Sequence, residues 1–145
     1  MVRLFQVLAA LLFSLSLSGP VQANTANLAL ATAGADTITT AVALSSGLVE
    51  LNPLGSVGAL VVKGLAMGYV RAQPEHEQAR HYNMLSSFWG GAAASNLCWI
   101  SGGGPFCFLL GAMAGGWLWN TGEKERAVAL QAKRLSALAP LASSE

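Results

Sequence analysis

Charge is scarce in this sequence: Asp, Glu, Lys and Arg together make up 10% of its 145 residues, against about 25% in an ordinary soluble domain. Seven acids and eight bases leave a formal net charge of +1. A nucleic-acid module, which needs a basic face to neutralise phosphates, is excluded on that ground. Disorder is excluded too, because apolar side chains reach 53% and the low-hydrophobicity, high-charge signature is missing. Histidine is confined to His76 and His81 in the one charged internal stretch, so no Ser-His-Asp or Cys-His constellation forms in the apolar part of the chain. The triplet Gly102-Gly103-Gly104 lacks the surroundings of a phosphate loop, and nothing signals haem, flavin or nucleotide. Cysteine is limited to Cys98 and Cys107, half a zinc site at most without a nearby histidine.

What the sequence has is apolar length. Residues 4–35 and 82–122 carry no charge, which points to an all-α membrane protein. Arg3 precedes an apolar run over 4–17, then the breaker Ser18-Gly19-Pro20 and the small-residue pattern Val21-Gln22-Ala23. This reads as a signal peptide over residues 1–23, cleaved after Ala23 or retained as a short anchor. The run is short for a span that needs roughly 20 residues. An export signal of this kind points to a bacterial protein of the inner (cytoplasmic) membrane.

Four spans follow, expected near residues 28–48, 54–70, 84–100 and 106–119, as a bundle of two hairpins. Asn52 is placed to cap the second helix, with Pro53 in its first turn. The stretch 71–83, with Arg71, Pro74, Glu75, His76, Glu77, Arg80 and His81, reads as a solvated loop or short surface helix. Ser101-Gly102-Gly103-Gly104-Pro105 is a turn by composition. Gly64 with Gly68, Gly91 with Ser95 and Gly111 with Gly115 have the spacing that lets helix backbones approach. Tyr69, Tyr82, Trp117 and Trp119 fall where an interfacial aromatic belt would lie, and Trp99 marks the other side. The polar tail over 121–145 repeats Val128, Ala132, Leu135 and Leu138 at helical spacing beside Lys124, Arg126, Lys133 and Arg134, the pattern of an amphipathic surface helix.

Two topology signals conflict. Cleavage after Ala23 and four crossings put the loop and the tail outside, whereas the bases on the loop and tail argue by the positive-inside rule for the opposite orientation. Cys98 and Cys107 flank the Gly-rich turn, as two separate buried thiols or as a disulfide if that turn faces an oxidising compartment.

Ionisable groups inside a membrane cost about 2.5–3.5 kcal/mol each near a helix centre, which singles out Asp36, Lys63 and Glu50. Asp36, Thr40, Ala43, Gly47 and Glu50 share one helical stripe with Thr39 at its edge. Asp36 and Glu50 are ~21 Å apart along a helix, too far for a carboxylate dyad. Folding the first hairpin about Asn52 sets Lys63 level with Ala41, ~7.5 Å along the axis from Asp36. A lysine stem spans much of that distance, so Asp36–Lys63 is the expected pair. The polar intramembrane set is therefore Asp36, Thr39, Thr40, Glu50, Asn52 and Lys63, with no catalytic and no metal-binding residue.

The pattern Asp36-x-x-Thr39-Thr40, then Gly47-x-x-Glu50-x-Asn52-Pro53, then Lys63, resembles an uncharacterised family of small bacterial multi-pass membrane proteins, a domain of unknown function. The resemblance covers the first hairpin and implies a fold and a polar intramembrane site, without a reaction. The expected role is non-enzymatic: an accessory or interaction protein in contact with the bilayer and with another membrane protein or its own copies, binding through its small-residue faces. A cation- or proton-coupled carrier or channel using the polar set is the alternative, and a holin-like permeabilising protein a weaker one.

Overall fold

The computed structural model describes residues 21–49 and 54–142, with side chains over 25–49 and 54–138. These residues form four helices and no strand: α1 (Val21–Ser45), α2 (Gly55–Arg71), α3 (Glu75–Ile100) and α4 (Phe106–Ala142). Local chemistry sets their ends. At the end of α1, Gly47 at φ +85° lets its own N–H reach Leu44 O while the Leu48 N–H reaches Ala43 O, the paired bonds of a Schellman stop. Gly102 at φ +84° does the same for α3, with Gly102 N–H on Trp99 O and Gly103 N–H on Cys98 O. At the opposite end, Pro74 holds the N-cap place of α3, with Glu75 and Glu77 in its first turn against the positive end of the helix dipole. The Gln78 amide reaches back to the carbonyls of Gln73 and Arg71, at 2.8 Å and 3.3 Å.

The central helix is α3. One of its faces, Tyr82, Ser86, Trp89 and Ala93, is buried on the side of α1, whose buried stripe is made only of small residues: Thr25, Ala29, Thr32, Ala35, Thr39 and Ala43. Asn83, Ser87 and Gly91 face α4 instead. There the register is explicit: Cys98 is bonded to Cys107, a Cβ on Gly91 would lie 2.7 Å from Gly111 O, and one on Gly115 would lie 2.7 Å from Ser87 O. Asn83 donates to Trp119 O at 3.0 Å. From Gly91–Gly111 through Ser87–Gly115 to Asn83–Trp119, each step of four along α3 is matched by a step of four along α4, so the two run antiparallel with backbones in contact. The second helix is attached more lightly, through Lys63 and through Met67 and Val70, which join Ala29, Tyr82 and Trp89 in one apolar cluster.

The distribution of side chains is inverted relative to a soluble bundle. The interior is Ala, Gly, Ser, Thr and Asn for the most part, while Leu30, Ile38, Val57, Leu65, Phe88, Leu109 and Met113 are exposed. Val57 is 79% and Phe88 74% exposed. Among the described residues, one helix, Thr25–Ser45 within α1, is by length and composition apolar enough to cross a membrane. The other three fall short for visible reasons: α2 has 17 residues, and the uncharged stretches of α3 and α4 are diluted by Gly, Ser, Thr, Asn and Trp, which lower their hydropathy.

Several expectations are corrected. The chain does not pack as two separate hairpins, because the small stripes of α1 and α4 both fit α3. The segment 71–83 is a three-residue turn followed by the first turns of α3, since Pro74 and the two acids start a helix. The first span stops at Ser45, so Gly47 leaves the stripe of Asp36. Leu54 stands at the N-cap place of α2 without a side-chain cap bond of its own, with Gly55 at φ +63° turning the chain into the helix. Tyr82 is 4% exposed and belongs to the core, not to an aromatic belt. The tail is no separate surface helix: α4 runs unbroken to Ala142, through strong helix formers and the Glu123–Arg126 ion pair at 2.7 Å. Of the small-residue pairs, Gly64 and Gly68 meet nothing within 4 Å. Glu50, Asn52 and residues 1–20 lie outside the described residues.

Candidate functional site

The hydroxyl-rich stretch of α1 from Asp36 to Thr40 is the only part of that helix where a charge interrupts apolar residues. Asp36 is one turn from Thr39 and Thr40, so all three can face a neighbouring helix together. Lys63 enters from α2 with its side chain 11% exposed, against 14% for Asp36, and its Nζ lies 2.8 Å from Asp36 Oδ2. The same ammonium donates to Thr37 Oγ1 at 2.8 Å and to Ala33 O at 3.3 Å. All three of its protons therefore have acceptors. Thr37 is held for this role by donating its own hydroxyl to Ala33 O at 2.8 Å.

The second carboxylate oxygen is met from α3. Asn96 Nδ2 lies 3.1 Å from Asp36 Oδ1, 3.0 Å from Thr40 Oγ1 and 3.3 Å from Thr39 Oγ1, two hydrogens shared among three acceptors. Thr39 in turn donates to Asp36 O at 3.2 Å. The result is one network across α1, α2 and α3, in which a buried cation and a buried anion neutralise each other. Removing two charges from water is repaid only when the geometry is close and the remaining lone pairs and protons are satisfied, and this network meets both conditions.

The structure thus brings together Asp36, Thr39, Thr40 and Lys63 from the expected set, and adds Thr37 and Asn96. Thr37 is the hydroxyl at the α2 side of Asp36, one residue away. Asn96 was hidden by its neutrality in a charge-free tract; its signal is its place one turn after Ala93 on the Tyr82–Ser86–Trp89 face of α3.

A smaller polar group lies at the charged end. Asn83, 2% exposed, donates to Trp119 O and, at 3.4 Å, to Glu123 Oε1, and Glu123 pairs with Arg126. Gly122 sits against the Asn83 amide, where any Cβ would overlap Asn83 Oδ1. This explains how α4 tolerates a glycine in mid-helix: the absent side chain is filled by Asn83. At the opposite end Cys98 and Cys107 form a disulfide with Cα atoms 5.3 Å apart. Gly103 closes over it, since a Cβ there would fall 2.5 Å from Cys98 Sγ, and Trp99 meets Phe108 edge-on at 5.7 Å. The nearby depression lined by Ala94, Leu97, Leu110 and Ala114 is open and apolar. Among the described residues no group of three His, Cys, Asp or Glu side chains is placed to hold a metal. His81 instead stacks edge-on with Tyr69 at 6.3 Å, and His76 lies exposed beside Glu77.

Comparison of the chain with protein-family models, with curated proteins and with solved structures finds no match in any of the three.

Proposed function

We propose that the protein is a small integral protein of the bacterial inner membrane, with four spans and a non-enzymatic accessory role. It engages another membrane component through the outer face of α2. The observation that carries this reading is the inverted side-chain distribution: small and hydrogen-bonding residues inside, Leu, Val, Ile, Phe and Met outside on all four helices. In water such an exterior would aggregate; in lipid it is the expected solvent-facing surface, and small interior residues supply close helix packing. The 17 residues of α2, ~25 Å long, are at the short end of what spans a bilayer.

The buried network is the structural device of this reading. Its charged atoms are paired within the protein, so it fixes how α1, α2 and α3 meet. A carrier would need a wet path to Asp36, and the ammonium's three protons instead all have protein acceptors while each carboxylate oxygen has a protein donor. The choice of α2 as the binding face follows from its light attachment and from Gly64 and Gly68, which are open while Gly91 of α3 is closed against Gly111 and Gly115 of α4. A photo-crosslinker at Leu65, 68% exposed, is expected to give one discrete protein adduct in membranes, lost in Gly64→Leu and Gly68→Leu with the bundle intact. Adducts to lipid alone would remove the interaction reading. The neutral pair Asp36→Asn with Lys63→Met is expected to keep that adduct; loss of an ion or proton flux in a folded double variant would support the carrier instead.

A further inference from the structure

The two ends of the bundle differ in chemistry. One end gathers the α2–α3 turn, the start of α1 and the outward run of α4, with Arg71, Arg80, Lys124, Arg126, Lys133 and Arg134. The other end holds the α1–α2 and α3–α4 connections, which contain no Lys or Arg, and it carries the Cys98–Cys107 disulfide. On the premise that the helices span a membrane, as proposed above, these are two independent reporters of orientation, one electrostatic and one redox.

We infer that the protein sits with the disulfide turn on the oxidising, outer side and the charged end, including the C-terminal run of α4, in the cytoplasm. Bases within a short distance of span ends are retained on the cytoplasmic side, where they also face the anionic inner leaflet. Disulfides persist outside the cytosol and are rare within it. Closing the bond removes two protons and two electrons from the Cys98 and Cys107 thiols; a disulfide-bearing oxidant on the outer side accepts them by thiol–disulfide exchange and leaves as a dithiol. Both reporters give the same orientation although neither depends on the other. The conflict in the sequence is thereby decided against cleavage: Ala23 lies at the charged-end start of α1, so an enzyme acting on the outer face does not reach it.

The test uses the full chain in intact cells. A chain with Cys98→Ser and Cys107→Ser receives one reporter, Ser101→Cys at the turn or Gln131→Cys on α4, both at exposed positions. A membrane-impermeant maleimide is expected to label Ser101→Cys in intact cells and Gln131→Cys only after permeabilisation. The unsubstituted chain, with thiols blocked at lysis, is expected to run oxidised and to lose its C-terminal tail to protease only after the cells are opened, which reads the same orientation if the cysteine-free chain fails to fold. The reverse labelling pattern, a tail digested in intact cells, free thiols in the isolated protein, or a mature N-terminus at Asn24 would each overturn the orientation. Release from membranes by alkaline carbonate would overturn the membrane reading itself, whereas a carbonate-resistant protein with an external tail would overturn the orientation alone.

Discussion

Lys63→Met is expected to destabilise the folded bundle by about 3–5 kcal/mol, the usual cost of leaving one member of a buried ion pair without its partner. Asp36→Asn is expected to act similarly, because the Lys63 ammonium would keep Thr37 and Ala33 O but lose its only anion. The combination of the two is expected to recover most of the loss: the Asn96 amide can still donate to the amide oxygen introduced by Asp36→Asn, and methionine fills the lysine stem's place. Unfolding of the purified protein in mixed micelles measures this as a double-variant cycle. Coupling near zero, with the double variant as weak as the sum of the single ones, would mean that the pair does not hold the three helices together.

The second large effect is a reversal of sign between glycines on one helix. An alanine in place of glycine in a helix normally gains about 1 kcal/mol from the unfolded-state entropy it removes. At Gly116, where nothing lies within 4 Å, Gly116→Ala is expected to show that gain. At Gly111 the new methyl would stand 2.7 Å from Gly91 O and 2.9 Å from Ser95 Cβ, and a backbone oxygen cannot turn aside. Gly111→Ala is therefore expected to destabilise by about 1–3 kcal/mol, with Gly111→Val worse. The same unfolding assay compares them. Equal effects at both positions would contradict the close crossing of α3 and α4.

Much of the first helix pair was legible because charge is so rare here. With Asp36 and Lys63 alone in apolar surroundings, helical rise and a turn near Asn52 were enough to bring them together. The spacing of Gly91 with Ser95 and of Gly111 with Gly115 marked faces for close helix approach, and α3 and α4 do meet there, whereas Gly64 and Gly68, spaced in the same way, stay open. What the sequence concealed was neutral or interrupted. Asn96 carries no charge, so nothing marked it as the third corner of the network. Tyr82 adjoins a charged stretch, which suggested an interface, while its helical spacing from Ser86 and Trp89 pointed to the core. The continuity of α4 past Gly122 was concealed as well, because the residue that fills the space at that glycine, Asn83, is 39 positions away in sequence and adjacent only in the fold. The central role of α3 was also concealed. It opens on Glu75, His76 and Glu77 and carries Asn83, Ser86, Ser87 and Asn96 further along, so its composition does not resemble that of a central helix. A helix buried by small neighbours on two sides needs close contact more than apolar area.

The most direct measurement is of what surrounds the exterior of all four helices. Spin labels at Ile38, Leu65, Phe88 and Leu109, each on a different helix and each more than half exposed, would be attached through single cysteines in protein whose native pair is oxidised and unreactive, then reconstituted in vesicles. A bundle of four spans predicts that all four labels relax readily with dissolved oxygen and resist a water-soluble nickel complex. Relaxation by nickel at Leu65, Phe88 and Leu109, with only Ile38 shielded, would contradict it and leave α1 as the sole membrane helix.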